Sequence, residues 1–163
     1  MPRASTALHP WLYPWFKATA LLCCSLVLSL LGLGSAAPAL AAAIQLSHAP
    51  ETAQAYIISP ADGDTVPPDF TVKFGLVGMG IAPAGVDKDN TGHHHLLIDL
   101  AELPPLTEPL PATEQIKHFG GGQTETQISL APGEHSLQLV LGNYTHVPHD
   151  NPVVSEPLTI TVK

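Results

Sequence analysis

The sequence predicts an all-β protein: an immunoglobulin-like antiparallel β-sandwich of six to eight strands, preceded by an N-terminal signal peptide. Beyond position 54, apolar residues recur with a period of two, which is the period of a half-buried strand. The seventeen prolines and thirteen glycines of the 163-residue chain interrupt most candidate helices. Turn residues separate short apolar runs at a spacing typical of a small sandwich.

The first 43 residues have the organisation of a secretory signal peptide. A short basic start precedes an apolar run, residues 20–33, and the small residues of "APALAAA" then offer a cleavage site after Ala41 or Ala43. Because a membrane span needs about 20 residues, the short run favours cleavage over the alternative, a membrane anchor that stays. We therefore expect export, to the periplasm or as a secreted protein, with no membrane attachment after cleavage.

Removal of residues 1–43 changes the charge of the chain. What remains is a polar lead-in, 44–54, and the sandwich domain, 55–163, with four lysines against fourteen acidic residues and so a formal charge of −10. This charge disfavours nucleic acid and anionic membranes as partners and is compatible with cations. No cysteine remains, which excludes a disulfide, a thiol nucleophile and a thiolate metal site. We expect a monomer whose partner is a metal ion or small ligand, with an envelope protein as a further candidate.

The first three predicted strands are 55–59, 70–77 and 93–100. "AYIIS" ends at "PADG", in which proline fixes φ and glycine tolerates positive φ, so a turn follows. "FTVKFGLV" places four apolar side chains on one face: Phe70, Val72, Phe74 and Leu76. "HHHLLIDL" ends in an apolar run that is typical of a buried strand.

Three further strands are predicted at 124–130, 134–142 and 154–162. The first two flank "APG", which predicts a hairpin with a short loop. Four apolar residues are in phase along the last strand: Val154, Leu158, Ile160 and Val162. Pro157 within it indicates an edge or a bulge. The connections 78–92 and 101–123 are long enough to favour a functional role, and the second is proline-rich, as expected of an extended wall across the sandwich.

Three consecutive histidines, in "GHHHLLID", begin the third predicted strand. His94 shares a face with Leu96 and Ile98, which is the core face. His93 and His95 share the opposite face. An H-x-H pair in a strand places two imidazoles on one side, with Cα atoms about 6.5–7 Å apart. Two rings so placed can meet on one ion, and zinc and copper favour imidazole.

The assumed topology brings other histidines to the same end of the sandwich. His146 and His149 form "HVPH" before the last strand, and His118 lies in "KHFGGGQTE" before the fourth. With antiparallel neighbours, these segments and the start of the third strand share one end, whereas His135 lies at the other. Loops at one end are the usual binding surface. Three glycines there let a backbone pass close to a ligand: Gly120, Gly121 and Gly122.

Four segments resemble the bacterial family called domain of unknown function 4399: "YIISPADGDTV", "FGLVGMGIAPAGVDKDNTGHHHLLID", "HFGGGQTE" and "PGEHSLQLVLGNYTHVPHDNPVVSEPLTITV". The resemblance covers residues 55–162 and implies an exported bacterial protein, without a biochemical role. A weaker likeness, in "SPADG" and "THVPHD", is to periplasmic copper carriers of the copper-resistance type, which are also small sandwiches. The predicted mature N-terminus is not a histidine, which departs from the pattern of those carriers.

We therefore expect an exported sandwich that binds a transition metal, copper or zinc, at its histidine-rich end. The expected ligands are His93, His95, His146 and His149, followed by His118 or His94. Asp99 or Asp150 is expected to orient one of the imidazoles. The alternative is a non-catalytic envelope module that binds a glycan, a peptide or a protein, with structural histidines around the glycines 120–122. No catalytic residue is predicted, since neither G-x-S-x-G nor H-E-x-x-H occurs, although histidines with carboxylates leave an enzyme open.

Overall fold

The computed structural model describes residues 46–163, and the predicted signal peptide, residues 1–43, lies outside the described residues. The described residues belong to one compact unit. Their regular structure consists of strands: β1 (Gln54–Ser59), β2 (Thr65–Val66), β3 (Asp69–Val77), β4 (Gly80–Ile81), β5 (Thr91–Ile98), β6 (Ile116–His118), β7 (Glu125–Ser129), β8 (Gly133–Gly142) and β9 (Leu158–Val162). In this part of the chain no helix has the length and apolarity that crossing a membrane requires.

The strands form two sheets. One has three strands in the order β1-β3-β7, and the other has six, in the order β2-β9-β8-β5-β4 with β6 also paired to β5. The six longer strands correspond to the six predicted segments, so the all-β class is confirmed. The short strands β2, β4 and β6 are additional to the prediction.

Apolar side chains that alternate along the strands build a core between the two sheets. In β3 the buried residues alternate with exposed ones up to Phe74. The main core cluster takes residues from both sheets, among them Phe70, Val72 and Phe74 from β3 and Leu137, Leu139 and Leu141 from β8. Full burial of each large apolar side chain contributes about 1.5–3 kcal/mol, so this alternation is what holds the sheets together.

The six-stranded sheet is also covered on its outer face, along β5. Leu97 points away from the core and packs with Leu110, Ile116 and Val140 in a second apolar cluster. Leu110 belongs to the proline-rich connection after β5, which therefore lies as a wall over the sheet. Because both faces are covered, every residue of β5 after Thr91 is buried.

Two details of the predicted strands are wrong. β7 pairs with β3, whereas β8 pairs with β5 and β9, so "APG" crosses from one sheet to the other and closes no hairpin. A turn signal indicates a reversal of the chain but not the strand that the chain joins next. The last strand begins at Leu158, because Pro157 has no N–H to donate, and Val154 forms only an isolated bridge with Val140.

His135 lies at the opposite end of β5 from the three consecutive histidines, as predicted. Its Nδ1 is 2.7 Å from Oδ2 of Asp99, and its Nε2 is 2.8 Å from the carbonyl oxygen of Ala131. The other carboxylate oxygen of Asp99 accepts the backbone N–H of Ser136 at 2.8 Å. The hydrogen bond to Asp99 raises the pKa of His135 above its usual value of 6.5. These contacts tie the start of β8 to the end of β5.

His135→Ala is expected to lower the free energy of unfolding by about 1 kcal/mol near pH 6. A group whose pKa is raised by folding contributes its charge-dependent stability below its unfolded pKa of 6.5, and this contribution is lost as pH rises through the folded pKa. The deficit of the variant should therefore shrink toward alkaline pH. Urea unfolding at about pH 6 and about pH 9 measures it, and a deficit that grows with pH would contradict the pairing.

Candidate metal centre

Strand pairing brings three histidines to one face of the six-stranded sheet. His93 and His95 lie two residues apart in β5, so their side chains share the face turned away from the core. His118 ends β6 and lies directly opposite His95 in the antiparallel register. Directly opposed residues of neighbouring strands have Cβ atoms about 4.5–5.5 Å apart on the same face, so the three rings meet.

The three rings lie within contact distance of one another. The ring centres are 4.9 Å apart for His93 and His95, 5.0 Å for His93 and His118, and 5.1 Å for His95 and His118. Each residue offers one ring nitrogen, and these three nitrogens all lie within 4.8 Å of one another. His93 and His95 are fully buried and His118 is exposed, so the group reaches the surface at β6.

His146 adds a fourth ring from the loop that follows β8. Its ring centre lies 4.6 Å from that of His118, 5.1 Å from that of His93 and 6.1 Å from that of His95. Its backbone has a φ of 70°, a left-handed conformation that is unfavourable for a residue other than glycine. We refer to His93, His95, His118 and His146 together as the imidazole cluster.

Asn143 holds this loop in the conformation that brings His146 to the other rings. It is buried, and its Oδ1 accepts the backbone N–H groups of Thr145 and Val147 at 2.9 and 3.1 Å. Its carbonyl oxygen accepts the backbone N–H of His146 at 2.9 Å. Its Nδ2 donates to Oγ of Ser47 at 3.1 Å, which joins the loop to the lead-in. This network offsets the cost of the positive φ at His146.

Two glycines leave the space that two of the rings occupy. A Cβ on Gly142 would lie 2.7 Å from Cε1 of His95, and a Cβ on Gly120 would lie 2.3 Å from Cε1 of His118. Both distances are well below the contact distance of about 3.5–4.0 Å between carbon atoms. The predicted ligand-binding glycine Gly120 therefore accommodates a side chain of this same protein. Gly122 has a φ of 80°, which turns the backbone after Gly121.

Burial keeps three rings of the imidazole cluster uncharged. Burial, followed by repulsion from neighbouring imidazoles, lowers the pKa of His93 from 6.5 to about 4 and that of His95 to about 3. Burial and then His146 lower the pKa of His118. These three rings are therefore neutral at pH 7, and each neutral ring has a nitrogen lone pair that can bind an ion.

The buried nitrogens of the imidazole cluster lack protein partners. Neither ring nitrogen of His93 or of His95 has a hydrogen-bond partner among the described residues. Native proteins pair nearly all buried polar groups, because an unpartnered group costs about 1–3 kcal/mol. Four such nitrogens in two adjacent rings are therefore available to bind a ligand. Imidazoles that converge in this way are suited to a zinc or copper ion.

The structure separates two of the expected ligands from the imidazole cluster. His94 lies on the core face, with its ring centre 5.2 Å from that of Phe74. His149 is fully buried, and its Nε2 lies 3.2 Å from the carbonyl oxygen of Thr91. His146 and His149 therefore lie in different environments, although they are only three residues apart.

The two carboxylates that were expected to orient an imidazole bind other histidines. Asp99 contacts His135 at the far end of β5. Oδ2 of Asp150 lies 3.0 Å from Nδ1 of His48, and this contact lowers the pKa of Asp150. Neither carboxylate fulfils the expected role toward the imidazole cluster.

Sequence analysis does not single out β6, Gly142 or Asn143. In β6 the alternation is present but spans only three residues, of which Ile116 joins the second apolar cluster. Gly142 stands opposite His93 in the register of β5 and β8, which becomes visible only when the strands are paired. The dipeptide Gly-Asn at the end of the leucine-rich strand β8 is the one local sequence signal of the turn that carries His146.

Gly142→Ala is expected to push the His95 ring out of the imidazole cluster and to lower the free energy of unfolding by about 1–3 kcal/mol. Gly80→Ala in β4 is the matched control, because a Cβ there would meet no atom closer than 3.5 Å. The imidazole NMR signals of His95 report the displacement and should move in Gly142→Ala alone. Equal signals in the parent and Gly142→Ala would contradict the steric argument.

His94→Leu is expected to raise the free energy of unfolding by about 1 kcal/mol near pH 7, because it removes two buried nitrogens that have no partner among the described residues. Burial also lowers the pKa of His94 to about 4. Below pH 6.5 the unfolded chain therefore binds a proton that the folded chain excludes, and stability falls as pH decreases toward 4. His94→Leu should reduce this acid sensitivity. Denaturant unfolding from neutral to acid pH measures both effects, and a variant that loses more stability in acid than the parent would refute them.

Comparisons with known proteins place the chain in one family. No curated protein and no solved structure matches it. The weaker likeness to copper-resistance-type carriers stays a prediction. A family described as "Domain of unknown function (DUF4399)" matches residues 72–163, which is more than half of the chain and contains the whole imidazole cluster. The match confirms the resemblance found in the sequence, and the chain belongs to the DUF4399 family.

Proposed function

We propose that this protein binds one transition-metal ion, copper or zinc, through the imidazole cluster. The observation that carries the proposal is the convergence of His93, His95 and His118, whose offered nitrogens lie within 4.8 Å of one another. His146 adds a fourth ring, whose centre lies 5.1 Å from the ring centre of His93 and 4.6 Å from that of His118. Imidazole is a preferred ligand of both ions, and zinc binds it at about 2.0–2.1 Å.

The hydrogen bonding of the histidines supports a metal over a purely structural role. A structural histidine pairs with a carboxylate or a carbonyl oxygen, as His135 does with Asp99 and Ala131. The rings of His93 and His95 have no such partner among residues 46–163. Burial also keeps both rings neutral, since it lowers the pKa of each. A neutral imidazole with a free lone pair is the form in which histidine binds a metal.

The proposed ligand set differs in one member from the set expected first. His118 takes the place of His149, because β6 positions His118 directly opposite His95. His149 instead contacts the carbonyl oxygen of Thr91.

The alternative, a module for a glycan or peptide with structural histidines, requires imidazoles that point apart beside an open cleft. The centres of the four rings instead lie within 6.1 Å of one another. The His118 ring occupies the space beside Gly120, where the expected cleft would lie. These two observations favour the metal over the cleft.

We further propose that the protein acts after export, as a monomer in the periplasm or outside the cell. Residues 1–43 have the organisation of a signal peptide, and the remaining chain has a formal charge of −10, from four lysines and fourteen acids. This charge raises the local concentration of cations and repels nucleic acid and anionic membranes. The metal ion is the proposed partner, and an envelope protein is a candidate for delivering or receiving it.

Titration of the protein with Cu²⁺ and with Zn²⁺ is expected to show one bound ion per chain. The protein is the full chain with Cys23→Ser and Cys24→Ser, so that no thiolate is present whether or not the leader is removed. His95→Ala should weaken binding at least about tenfold, because it removes a ligand. His135→Ala is the matched control, since His135 lies at the other end of the sandwich, and it should bind with the parent affinity.

Calorimetry measures the affinities, and circular dichroism establishes that each variant keeps its strands. Absence of binding tighter than micromolar for both ions would refute the proposal. An equal loss of affinity in His95→Ala and His135→Ala would also refute it, because the binding site would then lie elsewhere.

A further inference from the structure

We infer that the ion held by the imidazole cluster is monovalent copper, Cu⁺, in a distorted tetrahedral site. The inference rests on the proposed function and deepens it, because it names the charge of the ion and the geometry of its coordination. Two independent features carry it: the spacing of the four rings and the lack of an anionic side chain in the metal-binding group among the described residues.

Ring spacing distinguishes one coordination geometry from another. A nitrogen about 2.0–2.1 Å from an ion places the centre of its imidazole ring about 3.2 Å from that ion. In a tetrahedron all six pairs of ring centres are then about 5.2 Å apart. In a square plane four pairs are about 4.5 Å apart, and two opposite pairs are about 6.4 Å apart.

The ring-centre distances of the imidazole cluster are closer to those of a tetrahedron than to those of a square plane, and the nitrogens of three of its rings, those of His93, His95 and His118, lie within 4.8 Å of one another. Five of the six ring-centre distances lie between 4.6 and 5.1 Å. The sixth distance, between His95 and His146, is 6.1 Å. A square plane with that pair opposite would need His93 and His118 equally far apart, but their ring centres are 5.0 Å apart. Because Cu²⁺ and Ni²⁺ prefer tetragonal geometry, the spacing favours zinc or Cu⁺.

The charge of the donors decides between these two ions. Within the described residues, the group of metal-binding side chains at this place contains histidine alone, and His93 and His95 are fully buried. Zn²⁺ would leave two positive charges in a partly buried site without an anionic ligand, whereas Cu⁺ leaves one. The desolvation cost of an ion rises with the square of its charge, so the imidazole cluster favours Cu⁺.

The acidic residues considered above do not neutralise the imidazole cluster. Asp99 and Asp150 contact His135 and His48, and both carboxylates are exposed. Zinc sites in proteins usually gain negative charge from thiolate or carboxylate ligands, or from carboxylates that bind the metal-bound imidazoles. Among residues 46–163 the metal-binding group includes no carboxylate, and the ring nitrogens of His93 and His95 bind none.

Sulfur provides the competing explanation for any Cu⁺ binding. Met79 is the one methionine in residues 46–163, and thioethers also bind Cu⁺. Its side chain is partly buried against the main core cluster. Met79→Leu therefore separates binding by the imidazole cluster from binding by sulfur.

The experiment compares the affinity of the protein for three ions. The full chain with Cys23→Ser and Cys24→Ser is titrated with Cu⁺ under anaerobic conditions against a colorimetric Cu⁺ chelator. It is titrated separately with Cu²⁺ and Zn²⁺ against chelators of known affinity. We expect one Cu⁺ per chain, bound at least about tenfold more tightly than either divalent ion. A tenfold preference over Cu²⁺ raises the reduction potential of bound copper by about 59 mV relative to the aqueous couple.

Variants test whether Cu⁺ binds at the imidazole cluster. His95→Ala should weaken Cu⁺ binding at least about tenfold, and His118→Ala, in which an exposed ring is removed, should do so with less risk to folding. Met79→Leu should leave Cu⁺ affinity unchanged. Cu²⁺ or Zn²⁺ bound as tightly as Cu⁺ would overturn the inference and leave the proposed function standing. Cu⁺ binding that depends on Met79 and not on His118 would overturn the inference, and failure of all three ions to bind would overturn both.

Discussion

The register of β5 between its two neighbours is the constraint on which the imidazole cluster depends. Hydrogen bonding to β8 and to β6 fixes which side chains of β5 face outward. A slip of one residue would turn His94 outward and send His93 and His95 into the core. Both faces of β5 are buried and both carry histidine followed by apolar side chains, so hydrophobicity alone does not set this register. Local sterics contribute, because a Cβ on Gly92 would lie 2.7 Å from the carbonyl oxygen of Gly142.

The positions of the strands and the face on which each side chain lies could be predicted from the sequence, because both follow from the local geometry of an extended chain. Side chains alternate along any strand, so the opposite faces of His93 and His94 and the positions of the six longer strands follow from the period of two. The period of two does not reveal which strands pair with each other, because pairing depends on which sheet edge is free when the strand joins it. The turn "APG" therefore suggested a hairpin between segments that lie in different sheets. The same limitation hid the pairing of His118 with His95.

His146 shows a second kind of limitation. Its approach to the other rings depends on a positive φ that few residues adopt, and on the hydrogen bonds that the buried Asn143 makes to the backbone around it. No local pattern in "GNYTHVPH" separates His146, which reaches the imidazole cluster, from His149, which contacts the carbonyl oxygen of Thr91. The surroundings of each histidine also decide whether its pKa is raised or lowered. Asp99 raises the pKa of His135 from a position 36 residues away, whereas burial lowers the pKa of His95.

The features of the imidazole cluster that cost the protein stability are those that the proposed ion would relieve. Buried nitrogens without protein partners and a positive φ at His146 are unfavourable in the isolated chain. An ion that binds only the folded chain adds its binding free energy to stability. Because the rings already lie close together, the proposed ion would cost little conformational freedom on binding. His94 is equally buried and unpartnered, but its ring lies on the core face against Phe74, with the ring centres 5.2 Å apart. The same side chain thus has different consequences on the two faces of β5: on the outer face it is a proposed metal ligand, and on the core face it only lowers stability.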